Sequence, residues 1–271
     1  MTKYLIALDL DGTTLNDQSR ISLRTQRTLN KLAKMGNVVS IITGRPFRIS
    51  HQYYDQLQLH SPMANLNGAL THIPYRQWKD EESETVPRDL VFDLLAHQKE
   101  LGVETISVED KSHVWANRPT SILPEFIPDH LQSDQLLSSG TLNHDPLCVT
   151  VHYQAALLPR LKKFVMDNYG DVVEPRVWGG SYDIIELIHR GIHKEKSVKK
   201  IAAAYGINRQ QIIAFGDESN DREMLAYAGT GVAMKNAISK IKSVADDVTP
   251  WDNNADGLAR YLQGFFGLRD E

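Results

Sequence analysis

The sequence predicts an α/β protein: a Rossmann-like core built on a parallel sheet, with an α+β domain inserted into it. Three observations carry that prediction. Short apolar, β-branched runs alternate with amphipathic helical stretches at both ends of the chain. Those runs stop abruptly at acidic, glycine-containing turns, and in the middle of the chain the strands come in adjacent pairs instead. At about 150 residues per domain, 271 residues suit one large domain or two smaller ones.

The first strand is read in Tyr4–Leu8, an uncharged apolar run that halts at Asp9, as a strand buried on both faces does. From Ser22, whose hydroxyl suits a helix N-cap, Leu29, Leu32 and Ala33 share one helical face up to Gly36, a C-terminal stop. Val38–Ile42 supplies a second strand, and Pro46 suits the opening of a second helix. The C-terminal third repeats this grammar. Val198, Ile201, Ala202 and Tyr205 stripe a helix before Gly206, Gln211–Phe215 reads as a strand, and a helix runs from about Asp221 to Gly229. Gly231–Met234 is a short strand, and Leu258, Tyr261, Leu262 and Phe265 stripe a terminal helix.

Between these halves lie a helix holding Leu90, Leu94 and Leu101, strands around Ile106 and Val114, and an irregular stretch with Pro119, Pro124 and Pro128. A strand at Val149–Val151, a helix over about Ala155–Tyr169 and strands near Val172 and Ile184 follow. The core is therefore placed at residues 1–80 and 188–271 and the insert at 81–187, with the charged run Lys79–Glu82 at one junction.

Thirty basic against thirty-four acidic residues leave a net charge of −4, an ordinary balance that argues against a dedicated nucleic-acid or anionic-membrane binder. Gly and Pro, 17 and 11 residues, are too few for a disordered or collagen-like chain. The lone Cys148 cannot form an intramolecular disulfide, and no Asn-x-Ser/Thr sequon occurs. The apolar run before Asp9 is too short for a signal-peptide core, and no stretch approaches about 18 apolar residues. These features predict a cytoplasmic protein with no membrane span.

Two acidic turns carry the strongest chemical signal. Asp9-Leu10-Asp11-Gly12-Thr13 follows the first strand, where open α/β sheets bind ligands. A solvated Asp-Gly turn is the plain alternative; a calcium loop is not, because Gly12 stands fourth and follows a strand. Two carboxylates two residues apart suit a hard divalent cation, and Gly12 admits close approach of an anion. Gly216-Asp217-Glu218-Ser219-Asn220-Asp221 is the second turn. Ser219 or Asn220 suits helix capping, yet three carboxylates in five residues repel unless a cation neutralises some of them. Thr43-Gly44-Arg45 is either a plain strand terminus or a phosphate cradle of hydroxyl, amides and guanidinium. Lys194 opens a helix, an unfavourable place for a cation unless it faces an anion. His189 and His193, separated by Gly191, read as structural, and Cys148 as buried filler. Walker, dinucleotide-binding, HExxH and Gly-x-Ser-x-Gly patterns are all absent.

In order, Asp9–Thr13, Ile42–Arg45, Lys194 and Gly216–Asp221 resemble the four motifs of the haloacid dehalogenase superfamily. The large insert after Asn67-Gly68-Ala69 and the tail Gly231–Ala237, Ala245-Asp246 and Asp256-Gly257 are similar to Cof-like phosphatases with a class IIB cap. The resemblance implies a phosphatase of small phosphorylated metabolites such as sugar phosphates. It implies Asp9 as the nucleophile forming an aspartyl-phosphate and Asp11 as the acid/base. It also implies Mg2+ held by Asp9, the Asp11 carbonyl and Asp217, with Asp221 in support, and a phosphate cradle from Leu10, Thr43, Gly44, Lys194 and Asn220. Arg45 and Asn67 are candidate substrate contacts; Arg118 and Trp178, in the insert, could contact a leaving group, but a surface or core role suits each of them better. Glu195 departs from the family's usual glycine after the motif-three lysine and leaves the helix start open. A phosphomutase and a phosphate-binding regulatory module without turnover are the competing readings; the expected partner is a small metabolite, neither nucleic acid nor membrane, and the expected assembly a monomer or small homo-oligomer.

Overall fold

The computed structural model describes residues 2–122, 126–178 and 182–268. Strand β1 (Leu5–Leu8) is buried at every position, as its uninterrupted apolar run requires. Helix α1 (Leu23–Lys34) starts where Ser22 accepts a hydrogen bond from the Thr25 amide at 3.0 Å. It is followed by β2 (Val38–Ile41) and α2 (Phe47–Gln56), which opens directly after Pro46. Three short strands absent from the sequence reading come next, β3 (Met63–Asn65), β4 (Leu70–His72) and β5 (Glu82–Ser83), forming one small sheet.

The stretch read as one helix through Leu90, Leu94 and Leu101 is two, α3 (Arg88–Ala96) and α4 (Gln98–Leu101), broken at His97. Strands β6 (Val103–Glu109), β7 (Val114–Ala116) and β8 (Cys148–Tyr153), helix α5 (Leu158–Tyr169), and strands β9 (Val173–Val177) and β10 (Ile184–His189) complete this region. The strands form an antiparallel sheet in the order β7-β6-β8-β10-β9. Alternation along them sends Ile106, Val108, Val149, Val151, Ile185 and Leu187 to one face, where they pack with Leu90, Leu94, Leu101, Leu161 and Val165. Each such side chain contributes about 1.5–3 kcal/mol by leaving water. Pro119 and Pro128 lie in irregular chain, and Pro124 lies outside the described residues.

The chain then returns to helix α6 (Lys194–Ala204), β11 (Ile212–Gly216), α7 (Arg222–Tyr227), β12 (Thr230–Ala233), α8 (Ser239–Lys242), β13 (Asp247–Val248) and α9 (Gly257–Phe266). A five-stranded sheet of order β13-β12-β11-β1-β2 is parallel throughout. Two compact units result: Met1–Arg45, Ser50–Glu82 and His193–Glu271 form one, and Pro46–Ile49 with Ser83–Ile192 the other. In the first, Leu8 of β1 stands level with Phe215 of β11 and Ile41 of β2. The chain therefore leaves β1 at Asp9, β2 at Ile42 and β11 at Asp217 along one carboxyl edge, the place where such sheets bind ligands.

Candidate active site

At that edge the chain turns sharply. The Asp9 amide still donates to the Phe215 carbonyl at 3.2 Å, and the Leu15 amide donates back to the Leu10 carbonyl at 2.8 Å, closing a turn over Leu10–Thr14. The Thr14 hydroxyl donates to the Asp9 carbonyl at 2.5 Å. Gly12 takes φ +68°, and a Cβ built on it would run into the Asp217 carboxylate. Glycine is needed there twice over, for the backbone angle and for the space. Gly12→Ala is expected to lower the melting temperature by several degrees, since the left-handed angle alone costs about 1–2 kcal/mol, and to displace Asp217. Thermal denaturation checks the first effect, and a variant melting like wild type would contradict it.

Three carboxylates converge on this turn. Oxygens of Asp9, Asp217 and Asp221 all lie within 4.8 Å of one another. Lys194, on the first turn of α6 and fully buried, places Nζ 2.6 Å from Asp9 Oδ1 and 2.6 Å from Asp221 Oδ1. The unfavourable helix start is thus offset by two anions. The other oxygen of Asp221 accepts the backbone amides of Asp217 and Glu218 at 2.9 and 3.1 Å, which shapes the second acidic turn. Thr13 donates its hydroxyl to Asp217 Oδ1 at 3.0 Å, a link the sequence reading did not foresee.

The charge balance is uneven. Burial, then Asp221, push the Asp9 carboxyl well above its ordinary range, with Lys194 opposing. Burial and Asp221 likewise raise Asp217 to about 7 against the Thr13 hydrogen bond and Lys194. Burial alone would lower the Lys194 ammonium, but Asp221 and Asp9 outweigh it and push it up. Three crowded carboxylates facing one ammonium are short of positive charge, which a divalent cation with oxygen ligands supplies.

Thr43 and Gly44 follow β2 at the same sheet edge, where the Ile42 amide still donates to the Leu8 carbonyl at 2.8 Å. The Thr43 amide donates to Ala64 at 2.9 Å, its carbonyl accepts the Asn67 amide at 3.0 Å, and its hydroxyl accepts the Arg45 amide at 3.1 Å. A Cβ on Gly44 would sit 3.2 Å from Asn67 Oδ1, so the backbone here is closely flanked. Asn220 donates Nδ2 to that same Asn67 oxygen at 2.9 Å.

Arg45 and Asn67 thus have protein partners at this edge. The Arg45 guanidinium forks onto Asp11, Nε to Oδ2 at 2.8 Å and a terminal nitrogen to Oδ1 at 2.6 Å. The Asp11 side chain is 56% exposed and stands outside the three-carboxylate group, whereas Arg45 is 8% exposed. Glu195 leaves the helix start intact: α6 begins at Lys194, and Glu195 pairs with Lys199 at 2.6 Å. Cys148 is buried in β8, and burial pushes its thiol up, as filler rather than a nucleophile requires. His189 lies 4.0 Å from Glu84, and His193, the residue before α6, 3.9 Å from Glu223. Arg118 reaches the Thr105 hydroxyl at 3.3 Å, and Trp178 packs edge-on against Phe126. Among the described residues no helix is long and apolar enough to cross a membrane.

Comparison with known proteins finds relatives along nearly the whole chain. A family model described as a haloacid dehalogenase-like hydrolase matches residues 6–262. The chain is 36% identical over 266 residues to the 5-amino-6-(5-phospho-D-ribitylamino)uracil phosphatase YitU of Bacillus subtilis (strain 168), covering 98% of each. It is 28% identical over 281 residues to the pyridoxal phosphate phosphatase YbhA of Escherichia coli (strain K12), covering 97% of this chain and 98% of that protein. Among solved structures, a haloacid dehalogenase-like hydrolase from Bacteroides thetaiotaomicron matches at TM-score 0.82 and 24% identity, over 98% of this chain and 100% of that one.

Proposed function

The chain belongs to the haloacid dehalogenase-like hydrolases, and from that membership we propose that it is a Mg2+-dependent phosphatase releasing phosphate from a small phosphorylated metabolite. The observation that carries this reading is the fully buried Lys194 bridging Asp9 and Asp221 beside Asp217. A buried ammonium held by two carboxylates at a sheet edge is costly to assemble for structure alone.

In the proposed reaction an Asp9 oxygen attacks phosphorus while the bond to the leaving oxygen breaks, giving an aspartyl-phosphate. To serve as the acid, Asp11 first leaves its fork with Arg45 and takes up a proton from solvent; it then gives that proton to the departing oxygen and afterwards takes one from the water that attacks phosphorus and frees Asp9 and inorganic phosphate. Thr43, Gly44, Asn220, Lys194 and the Leu10 amide hold the transferring oxygens. Lys194 also fixes the rotamer of Asp9 through its 2.6 Å bond. The site fits the metal, because its three carboxylates exceed its one cation; Asp9, the Asp11 carbonyl and Asp217 would hold Mg2+, with Asp221 in support. Bound there, the ion offsets charge on the phosphoryl oxygens. All four motif groups fall in the first compact unit, so we assign the chemistry to it and selection of the leaving group to the insert.

The 36% identity, spanning almost all of both chains, makes 5-amino-6-(5-phospho-D-ribitylamino)uracil the first substrate to test, ahead of pyridoxal phosphate and sugar phosphates. Purified protein with Mg2+ is expected to release phosphate from at least one of these, and chelation with EDTA to abolish the release. Stoichiometric phosphate binding without turnover would instead favour a regulatory module, and an isomerised product that keeps its phosphate a mutase.

A further inference from the structure

The Cof-like tail Gly231–Ala237 has no part in the reaction above, yet it reaches the nucleophile turn. A carbonyl inside the Leu10–Thr14 turn and that of Leu15, just after it, are met by side chains from far along the chain. Asn236 Nδ2 donates to the Gly12 carbonyl at 2.7 Å, and Asn253 Nδ2 donates to the Leu15 carbonyl at 3.0 Å and to Asp17 Oδ1 at 3.1 Å. The asparagines are themselves joined, since the Asn253 amide donates to Asn236 Oδ1 at 3.1 Å.

The loop bearing Asn236 is also fastened to the second acidic turn. The Met234 amide donates to the Gly216 carbonyl at 3.0 Å and the Ile238 amide to the Asp217 carbonyl at 3.1 Å. One short loop therefore ties the peptide of Gly12 to the peptide of Asp217, and a Gly12 Cβ would strike the carboxylate of that same Asp217. A relaxation of the Gly12 peptide would shift the spacing between Asp9 and Asp217.

We propose that Asn236 is a positioning residue, with Asn253 as its support: it braces the nucleophile turn against the second acidic turn and fixes the geometry in which Asp9 reacts. The proposal rests on the reading of Asp9 as nucleophile for its kinetic consequence, and on the hydrogen bonds alone for the brace itself.

Asn236→Asp separates the two bonds. The variant keeps the acceptor for the Asn253 amide and nearly the same shape, but replaces the donor to Gly12 with an oxygen that repels it. With p-nitrophenyl phosphate and Mg2+, kcat is expected to fall on the order of 10- to 100-fold with KM within about twofold, as for small misplacements of a reacting group. Asn253→Ala should act the same way, and the double variant should fall less than the product of the singles, because both hold one turn. Hydrogen–deuterium exchange over residues 9–17, which needs no turnover, should be faster in Asn236→Asp, while the melting temperature changes little. Unchanged exchange overturns the brace. Faster exchange with unaltered kcat overturns the positioning role. A wild-type protein that fails to turn over any phosphate ester refutes the phosphatase reading instead, and the exchange result still decides whether the brace exists.

Discussion

Asp9→Asn is expected to lower phosphatase turnover by about four orders of magnitude or more while leaving the protein folded. An amide cannot attack phosphorus as a carboxylate does, and loss of a nucleophile that acts with a positioned acid/base removes most of the catalysis. Shape is retained, and the amide oxygen can still accept from Lys194 Nζ, now 2.6 Å from Asp9 Oδ1. The electrostatics favour tolerance of the change. Burial and the neighbouring Asp221 and Asp217 already disfavour the charge on Asp9, and Lys194 retains Asp221 as a partner. The metal-free variant is therefore expected to melt within a few degrees of wild type. Circular dichroism and a phosphate-release assay check both halves. Turnover within tenfold of wild type would remove Asp9 from the nucleophile role.

Much of this site was legible because its motifs end strands. An apolar run that stops at Asp9, and another that stops at Gly216-Asp217, place their turns at one sheet edge once the strands are parallel neighbours, as Leu8 and Phe215 are. Lys194 was legible through its misfit at a helix start. Other features escaped because they are pairings between distant residues with no periodic trace. The Arg45 fork on Asp11 spans 34 positions and the Asn236 bond to Gly12 spans 224. The pairing of Arg45 went unseen because its acidic partner belongs to a different turn. The break at His97 stayed hidden for another reason: Leu94 and Leu101 are seven residues apart, two helical turns, so the apolar stripe continues across it. The short strands β3 to β5 were missed since three residues or fewer carry no alternation to read.

Lys194→Met is expected to have the second large effect, on turnover and on stability together. Lys194 is fully buried with two carboxylates at 2.6 Å, so its removal leaves uncompensated buried charge, a loss of about 3–5 kcal/mol at neutral pH when one side of such a group is deleted. Lys196 and Lys199 differ in kind. They pair with Glu82 at 3.0 Å and Glu195 at 2.6 Å in half-exposed positions, where an ion pair is worth about 1 kcal/mol or less. Lys196→Ala and Lys199→Ala should therefore keep near-normal turnover, while Lys194→Met falls by about three orders of magnitude or more, since in the proposed reaction the phosphoryl oxygens would lose their buried cation. The pH dependence of stability supplies a separate check. Asp9 already titrates above its ordinary value in the folded protein, and deleting the lysine removes the group that opposes that rise. The folded variant then binds more protons than the unfolded chain above the ordinary carboxylate range, so its stability falls as pH rises and recovers as pH is lowered. Without metal, the gap in melting temperature between wild type and Lys194→Met should accordingly narrow from pH 8 to pH 6. A gap independent of pH would mean that the carboxylates around Lys194 do not govern its contribution, and equal kinetics across the three lysine variants would place the phosphoryl contact elsewhere.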